Sequence, residues 1–160
     1  MTSPHDTAPP ATEDLGLVDA LAQLSFLVQN ALAELAGEHD LSITQTRLLG
    51  ILRDREPTMN ELGRHLGLDK SSITGLVDRA QRRGLVTRTP STVDRRSFQV
   101  SITDAGRDVV AQVGARFAER IKDCAAPLTE ADRKRLSRLA TRLVTADAQS
   151  RGIDLSTTPR

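Results

Sequence analysis

Tryptophan and tyrosine are absent from these 160 residues, and phenylalanine occurs three times. A chain so poor in aromatics lacks the stacking platforms on which single-stranded nucleic acid is usually held. Its core must be aliphatic. There is one cysteine, Cys124, which excludes an intramolecular disulfide framework. His5, His39 and His65 are scattered, with no cysteine or carboxylate at ligand spacing, so no metal site is expected. No Ser/His/Asp or Cys/His constellation and no glycine-rich phosphate loop can be found, so neither an enzyme nor a cofactor is expected. No apolar run approaches the roughly 18–20 residues of a membrane span. Residues 1–14 hold three prolines and no apolar signal core, which reads as a disordered tail rather than a targeting peptide. Residues 151–160 carry no periodic pattern and read as a flexible tail. A cytoplasmic protein without membrane association is the expectation.

The length suits one domain, spanning 15–150, with enough chain to bury a core. A net charge of +1 conceals an uneven distribution. Residues 1–63 carry 3 basic and 10 acidic side chains, residues 64–107 carry 9 and 4, and residues 108–160 carry 10 and 7. The basic excess therefore begins in the middle of the chain, as a phosphate-binding face would require.

Apolar residues at Leu17, Leu21, Leu24, Val28, Ala31 and Leu35 alternate in steps of four and three, predicting a helix over 15–37. A second helix is expected over 44–53, with Leu48, Leu49, Ile51 and Leu52 inward and Ser42 or Thr44 as its cap. Thr58-Met59-Asn60-Glu61 has the capping-box pattern, Gly67 suits a left-handed stop, and Asp69 caps the next helix. That helix carries Ile73, Leu76, Val77 and Ala80 inward and ends at Gly84. Residues 85–89 and 98–102 read as two strands, with 90–97 as the hairpin loop. Thr103 caps a long helix with Val110, Val113, Phe117, Ile121 and Cys124 on one face, and after Pro127 a last helix carries Leu136, Leu139, Leu143 and Val144. Helix, turn, helix and hairpin in this order spell a mainly α fold with a small β-hairpin wing.

The helix starting at Lys70 has a second face, with Lys70, Ser71, Thr74, Gly75 and Asp78 outward and Arg79 and Arg82 at the flank. Small hydroxyl side chains at a helix N-terminus permit close approach to base edges in a major groove, and the free N–H groups favour phosphate. Gly75 costs about 1 kcal/mol of helix propensity relative to alanine, which a close backbone approach to DNA would explain. At the hairpin tip stands Asp94-Arg95-Arg96. Adjacent loop arginines add nothing to folding, but the narrow minor groove offers them enhanced negative potential. Asp94 is placed to orient a guanidinium by a bidentate pair.

Leu68-Asp69-Lys70-Ser71-Ser72-Ile73-Thr74, Val77-Asp78-Arg79, Arg83-Gly84-Leu85-Val86, Asp94-Arg95-Arg96-Ser97 and Ile102-Thr103-Asp104-Ala105-Gly106 together resemble the MarR family of bacterial transcriptional regulators. The resemblance implies a winged helix-turn-helix over 44–103 between dimerisation helices at 15–38 and 104–148. It implies a homodimeric repressor on a pseudopalindromic operator in double-stranded DNA, released by a small ligand. By position, Lys70, Ser71, Ser72, Thr74 and Arg79 would be recognition-helix contacts. Asp94 and Arg96 would be the wing pair, Arg95 a phosphate contact, and Arg88 on the first strand a further DNA contact. Ala80 stands where many members carry a bulkier residue. The first-helix cysteine of peroxide-sensing members and the tryptophan of urate-responsive ones are both missing.

Phe26, Asn30, His39, Arg47 and Phe117 are candidates for a pocket where dimer helices meet the winged module, suited to a small aromatic or phenolic effector. Cys124 lies on an apolar stripe, so a buried structural thiol is expected, with a redox-responsive regulator as the alternative. A winged-helix protein–protein module without DNA binding is the other alternative.

Overall fold

The computed structural model describes residues 13–91 and 97–153, which form six helices and a two-stranded hairpin. The helices are α1 (Gly16–Gly37), α2 (Ile43–Leu52), α3 (Met59–Leu66), α4 (Lys70–Arg82), α5 (Asp104–Cys124) and α6 (Glu130–Ser150). Between α4 and α5 lie β1 (Val86–Pro90) and β2 (Phe98–Ile102). This is the mainly α, winged architecture expected from the sequence.

Local chemistry sets most of these boundaries. Ser42, not Thr44, caps α2: its hydroxyl accepts from the Gln45 N–H at 3.1 Å, and Gln45 accepts from the Ser42 N–H at 2.9 Å. Thr58 and Glu61 make the same reciprocal box at α3. The Thr58 N–H, then its hydroxyl, hold the Glu61 carboxyl below the usual glutamate range. Gly67 ends α3 with φ 67°, where a side chain would be strained. Thr103 and Thr129 cap α5 and α6 through their hydroxyls.

The strands pair antiparallel with Val86 opposite Ile102 and Pro90 opposite Phe98. Pro90 therefore belongs to the strand and not to the loop expected over 90–97. Ser91 N–H donates to the Ser97 carbonyl at 2.9 Å, so the neighbouring Pro90–Phe98 pair falls where no ladder donor is needed. On the other edge, the Val100 N–H donates to the Pro57 carbonyl at 3.0 Å, and Thr58 bridges Gln99. The hairpin is thus fastened to the start of α3.

The core lies within this module. Leu48, Leu49, Leu52, Leu62, Val77, Val86 and Val100 are fully buried, and Ile73, Leu76 and Ala80 of α4 join them. Each such leucine contributes about 1.5–3 kcal/mol through burial. No aromatic side chain belongs to this cluster of buried residues.

Outside the module the expected inward stripes come apart. On α1 only Ala31, Leu35 and Ala36 are buried, while Leu17 is 74% and Val18 79% exposed. The α6 stripe of Leu136, Leu139, Leu143 and Val144 is exposed along its length. Cys124 is exposed as well, which corrects the expectation of a buried thiol. All three departures share one cause, since within a single chain little is packed over these faces. A second correction concerns α1, which is long and apolar enough, by length and composition alone, to cross a membrane. Its apolar residues are interrupted by Gln23, Ser25, Gln29 and Asn30, so no continuous run betrays this in the sequence.

Candidate nucleic-acid interface

The outward side of α4 is built from its cap. The Asp69 carboxylate accepts from the Ser72 N–H at 2.8 Å, the Ser71 hydroxyl at 2.7 Å and the Ser72 hydroxyl at 3.1 Å. These bonds, the Ser72 N–H foremost, hold Asp69 below the usual aspartate range. The Thr74 hydroxyl donates to the Lys70 carbonyl at 2.7 Å. Three hydroxyls thus spend their protons within the protein, which leaves their lone pairs as acceptors on this exposed surface. Lys70, Ser71, Ser72, Thr74 and Arg79 are all exposed, while Ile73, Leu76, Val77 and Ala80 anchor the opposite face. The structure therefore brings these five candidates onto one surface.

Gly75 sits among them, next to the end of the Arg79 side chain. A Cβ there would lie 3.3 Å from Nη1 of Arg79, so the missing side chain makes room for that guanidinium. Arg88 differs from the five. Its guanidinium turns toward α4, where Nη2 pairs with the Asp78 carboxylate and donates to the Thr74 carbonyl at 3.3 Å. Asp94, Arg95 and Arg96 lie outside the described residues.

Two further anchors were not legible. Arg83, just past α4, donates to the Asp40 carbonyl at 2.6 Å and the His39 carbonyl at 2.9 Å. It thereby caps the turn after α1, where Asp40 holds a left-handed φ of 54°. From α5, Arg116 pairs with Glu38 in the same turn. The second anchor is the exit from the hairpin. Thr103 N–H donates to the Leu85 carbonyl at 3.0 Å, and its hydroxyl donates to the Gly84 carbonyl at 2.7 Å while accepting from the Gly106 N–H at 3.1 Å. A Cβ on Gly106 would lie 2.3 Å from the Leu85 oxygen and 2.7 Å from Cγ1 of Ile102. The threonine–glycine spacing seen in the sequence is thus the contact between α5 and the start of the wing.

The five effector candidates are not gathered into one cavity by the described residues. Phe26, Asn30 and Arg47 are exposed, and His39 and Phe117 are half-buried. Two shallow clefts, of about 350 and 420 Å³, flank α3 and α4 instead. The first is lined by Asn60, Arg64 and Lys70 among others, the second by Ser42, Ser72 and Arg79, and neither touches any of the five.

A sequence model of the MarR family matches residues 39–97. The chain is 26% identical to the transcriptional regulator PecS of Dickeya dadantii over 82% of its own length and 81% of that protein's. It is 34% identical to the transcriptional repressor IacR of Pseudomonas putida over 62% of its own length and 60% of that protein's. Among solved structures, apo MarR from E. coli superposes with a TM-score of 0.71 at 22% identity, covering 82% of this chain and 98% of that one. MepR from S. aureus, solved in complex with DNA, superposes with a TM-score of 0.69 at 17% identity, covering 83% and 99%.

Proposed function

We propose that the chain is a transcriptional regulator of the MarR family, whose sequence model it matches over residues 39–97, and that it acts in the cytoplasm as a homodimeric repressor that seats α4 in the major groove. The observation that carries this reading is the α4 surface, where two cations and three hydroxyls face outward over a buried aliphatic anchor. Lys70 and Arg79 meet phosphate, and Ser71, Ser72 and Thr74 meet base edges. Because their protons are engaged by Asp69 and the Lys70 carbonyl, these hydroxyls accept from the amino groups of adenine or cytosine. The Thr74 methyl packs on a thymine methyl. Arg96 is proposed to enter the flanking minor groove, and Arg95 to meet phosphate.

The exposed leucines of α1 and α6 pair with those of a second copy, and two recognition helices then lie one helical turn apart, about 34–36 Å. A small aromatic or phenolic effector, held near Phe26, Asn30, His39, Arg47 and Phe117 at the junction of dimer helices and module, stabilises a spacing that no longer fits successive grooves.

Selection of duplex fragments from genomic DNA, followed by a salt titration of the selected site, tests this. Arg96→Ala should weaken binding and lower the slope of log affinity against log salt by about 1. Failure of the wild-type chain to retain any duplex at moderate salt would instead favour a protein–protein module.

A further inference from the structure

Arg88 and Asp78 form a contact that folding alone does not account for. The Arg88 side chain is 22% exposed, pairs with the Asp78 carboxylate and donates to the Thr74 carbonyl at 3.3 Å. Its Nε is buried and, among the described residues, has no partner. A half-buried ion pair roughly breaks even against an apolar pair of the same shape, and an unsatisfied N–H makes it worse. An aliphatic residue at 88 would hold β1 against α4 at less cost. What an arginine adds there is geometry. Its Nη2 donates to both Thr74 and Asp78, one turn apart on the helix that carries the DNA-facing row.

We infer that Asp78 and Arg88 are positioning residues that lock the wing at a fixed angle to α4, so that both reach duplex DNA together. The inference rests on the DNA reading above. It assigns Arg88 to the internal geometry of the reading head rather than to a phosphate. It also gives Asp78, an anion on a helix that approaches a polyanion, a reason to be there.

That anion permits a test in which the two explanations have opposite signs. Were Asp78 merely a bystander, removing its charge would relieve repulsion from phosphate and tighten binding. As a lock, its removal frees Arg88 and lets the wing drift. The full-length chain and its Asp78→Asn, Arg88→Met and double variants are titrated against one selected duplex by fluorescence anisotropy. Hydroxyl-radical cleavage then reads the flanking minor groove, and methylation of guanine N7 reads the major groove.

The expected result is at least a tenfold loss of affinity in Asp78→Asn. Minor-groove protection should disappear while the major-groove pattern stays. Arg88→Met should match it, and the double variant should be no worse than either single one, because the two residues act as a unit. Far-ultraviolet circular dichroism establishes that each variant is helical. Should Asp78→Asn not fold, Asp78→Ala, which favours the helix by propensity, takes its place. Affinity equal to or tighter than wild type in the aspartate variant, or additive losses in the double variant, overturns the lock alone. A wild-type chain that binds no duplex overturns the lock and the DNA reading together.

Discussion

Replacing Gly106 by alanine tests the reading of the α5–wing junction. The added Cβ would stand 2.3 Å from the Leu85 carbonyl oxygen and 2.7 Å from Ile102 Cγ1. Both distances are too short for atoms in contact, and the first partner is backbone, which cannot swing aside. Either α5 retreats by about an ångström or the strand bends, and that overpacking costs about 1–3 kcal/mol. Retreat also stretches the bond from the Thr103 N–H to the same Leu85 oxygen, now 3.0 Å, for about 1 kcal/mol more. Against this stands the preference of helices for alanine over glycine, at most about 1 kcal/mol. The net loss is about 1–3 kcal/mol, which urea unfolding reads as a lowered midpoint at unchanged slope. Gly50, in the last turn of α2, supplies the control because a Cβ there meets nothing within 4 Å. Gly50→Ala should gain about 0.5–1 kcal/mol. Two glycine-to-alanine changes in helices are thus expected to move stability in opposite directions. A Gly106→Ala chain as stable as the wild type would refute the junction.

At Gly75 the added Cβ meets only the flexible end of Arg79, at 3.3 Å. Gly75→Ala should therefore raise the unfolding midpoint through helix propensity while weakening operator binding, and weaker binding without added stability would contradict the packing described. Glu61 has its pKa depressed in the folded chain by the Thr58 N–H and hydroxyl, so its contribution is present above the unfolded value of about 4.3 and lost as pH falls through the lower folded value. Glu61→Gln keeps the box without the charge, so the stability gap between it and the wild type should shrink as urea midpoints are followed from pH 6 to pH 3. Arg83→Met removes two donors from the His39 and Asp40 carbonyls. Unfolding should show a loss of about 1 kcal/mol for these exposed bonds, and the salt slope of DNA binding should not move, because that guanidinium is engaged by the carbonyls of the turn after α1.

What could be seen in advance followed sequence distance. The box at Thr58–Glu61 and the cap at Asp69–Ser72 close within three residues, and a capping residue with its partner is visible in any window of four. The inward faces of α2, α3 and α4 were legible for a related reason, since helical periodicity records burial against whatever lies opposite. Periodicity does not say in which chain that partner resides. The stripes of α1 and α6 were read as correctly apolar, yet they stay exposed in one chain. Cys124 was misplaced by the same logic, as a position on a stripe whose cover is missing. Arg88 reaches across 10 residues and Arg83 across 43 and 44. A lone arginine carries no mark of its acceptor, so the sequence, which suggested a DNA contact for Arg88, could not show its pairing with Asp78. Gly106 was visible as part of a pattern, but its cause is a backbone approach from Leu85, 21 positions earlier.

Two long-range contacts, from Arg83 and Arg116, converge on one short segment, which links the two halves of the proposed mechanism. Residues 38–40 follow α1 directly, and they are held from α4 by Arg83 and from α5 by Arg116. Both arginines act on groups that water would otherwise satisfy, so neither bond contributes much to stability. Their effect is to make α1, α4 and α5 share one reference point. In the proposed dimer, a shift of α1 against its partner copy would be passed through this segment to the end of α4. Small displacements matter because the two recognition helices must match successive grooves, and an effector can move that equilibrium only by its differential affinity for the two spacings. About 5.5 kcal/mol is needed to carry a population from 1:99 to 99:1. In the proposed mechanism, a junction held by exposed, individually weak bonds would keep the two spacings close enough in energy for a small molecule to choose between them.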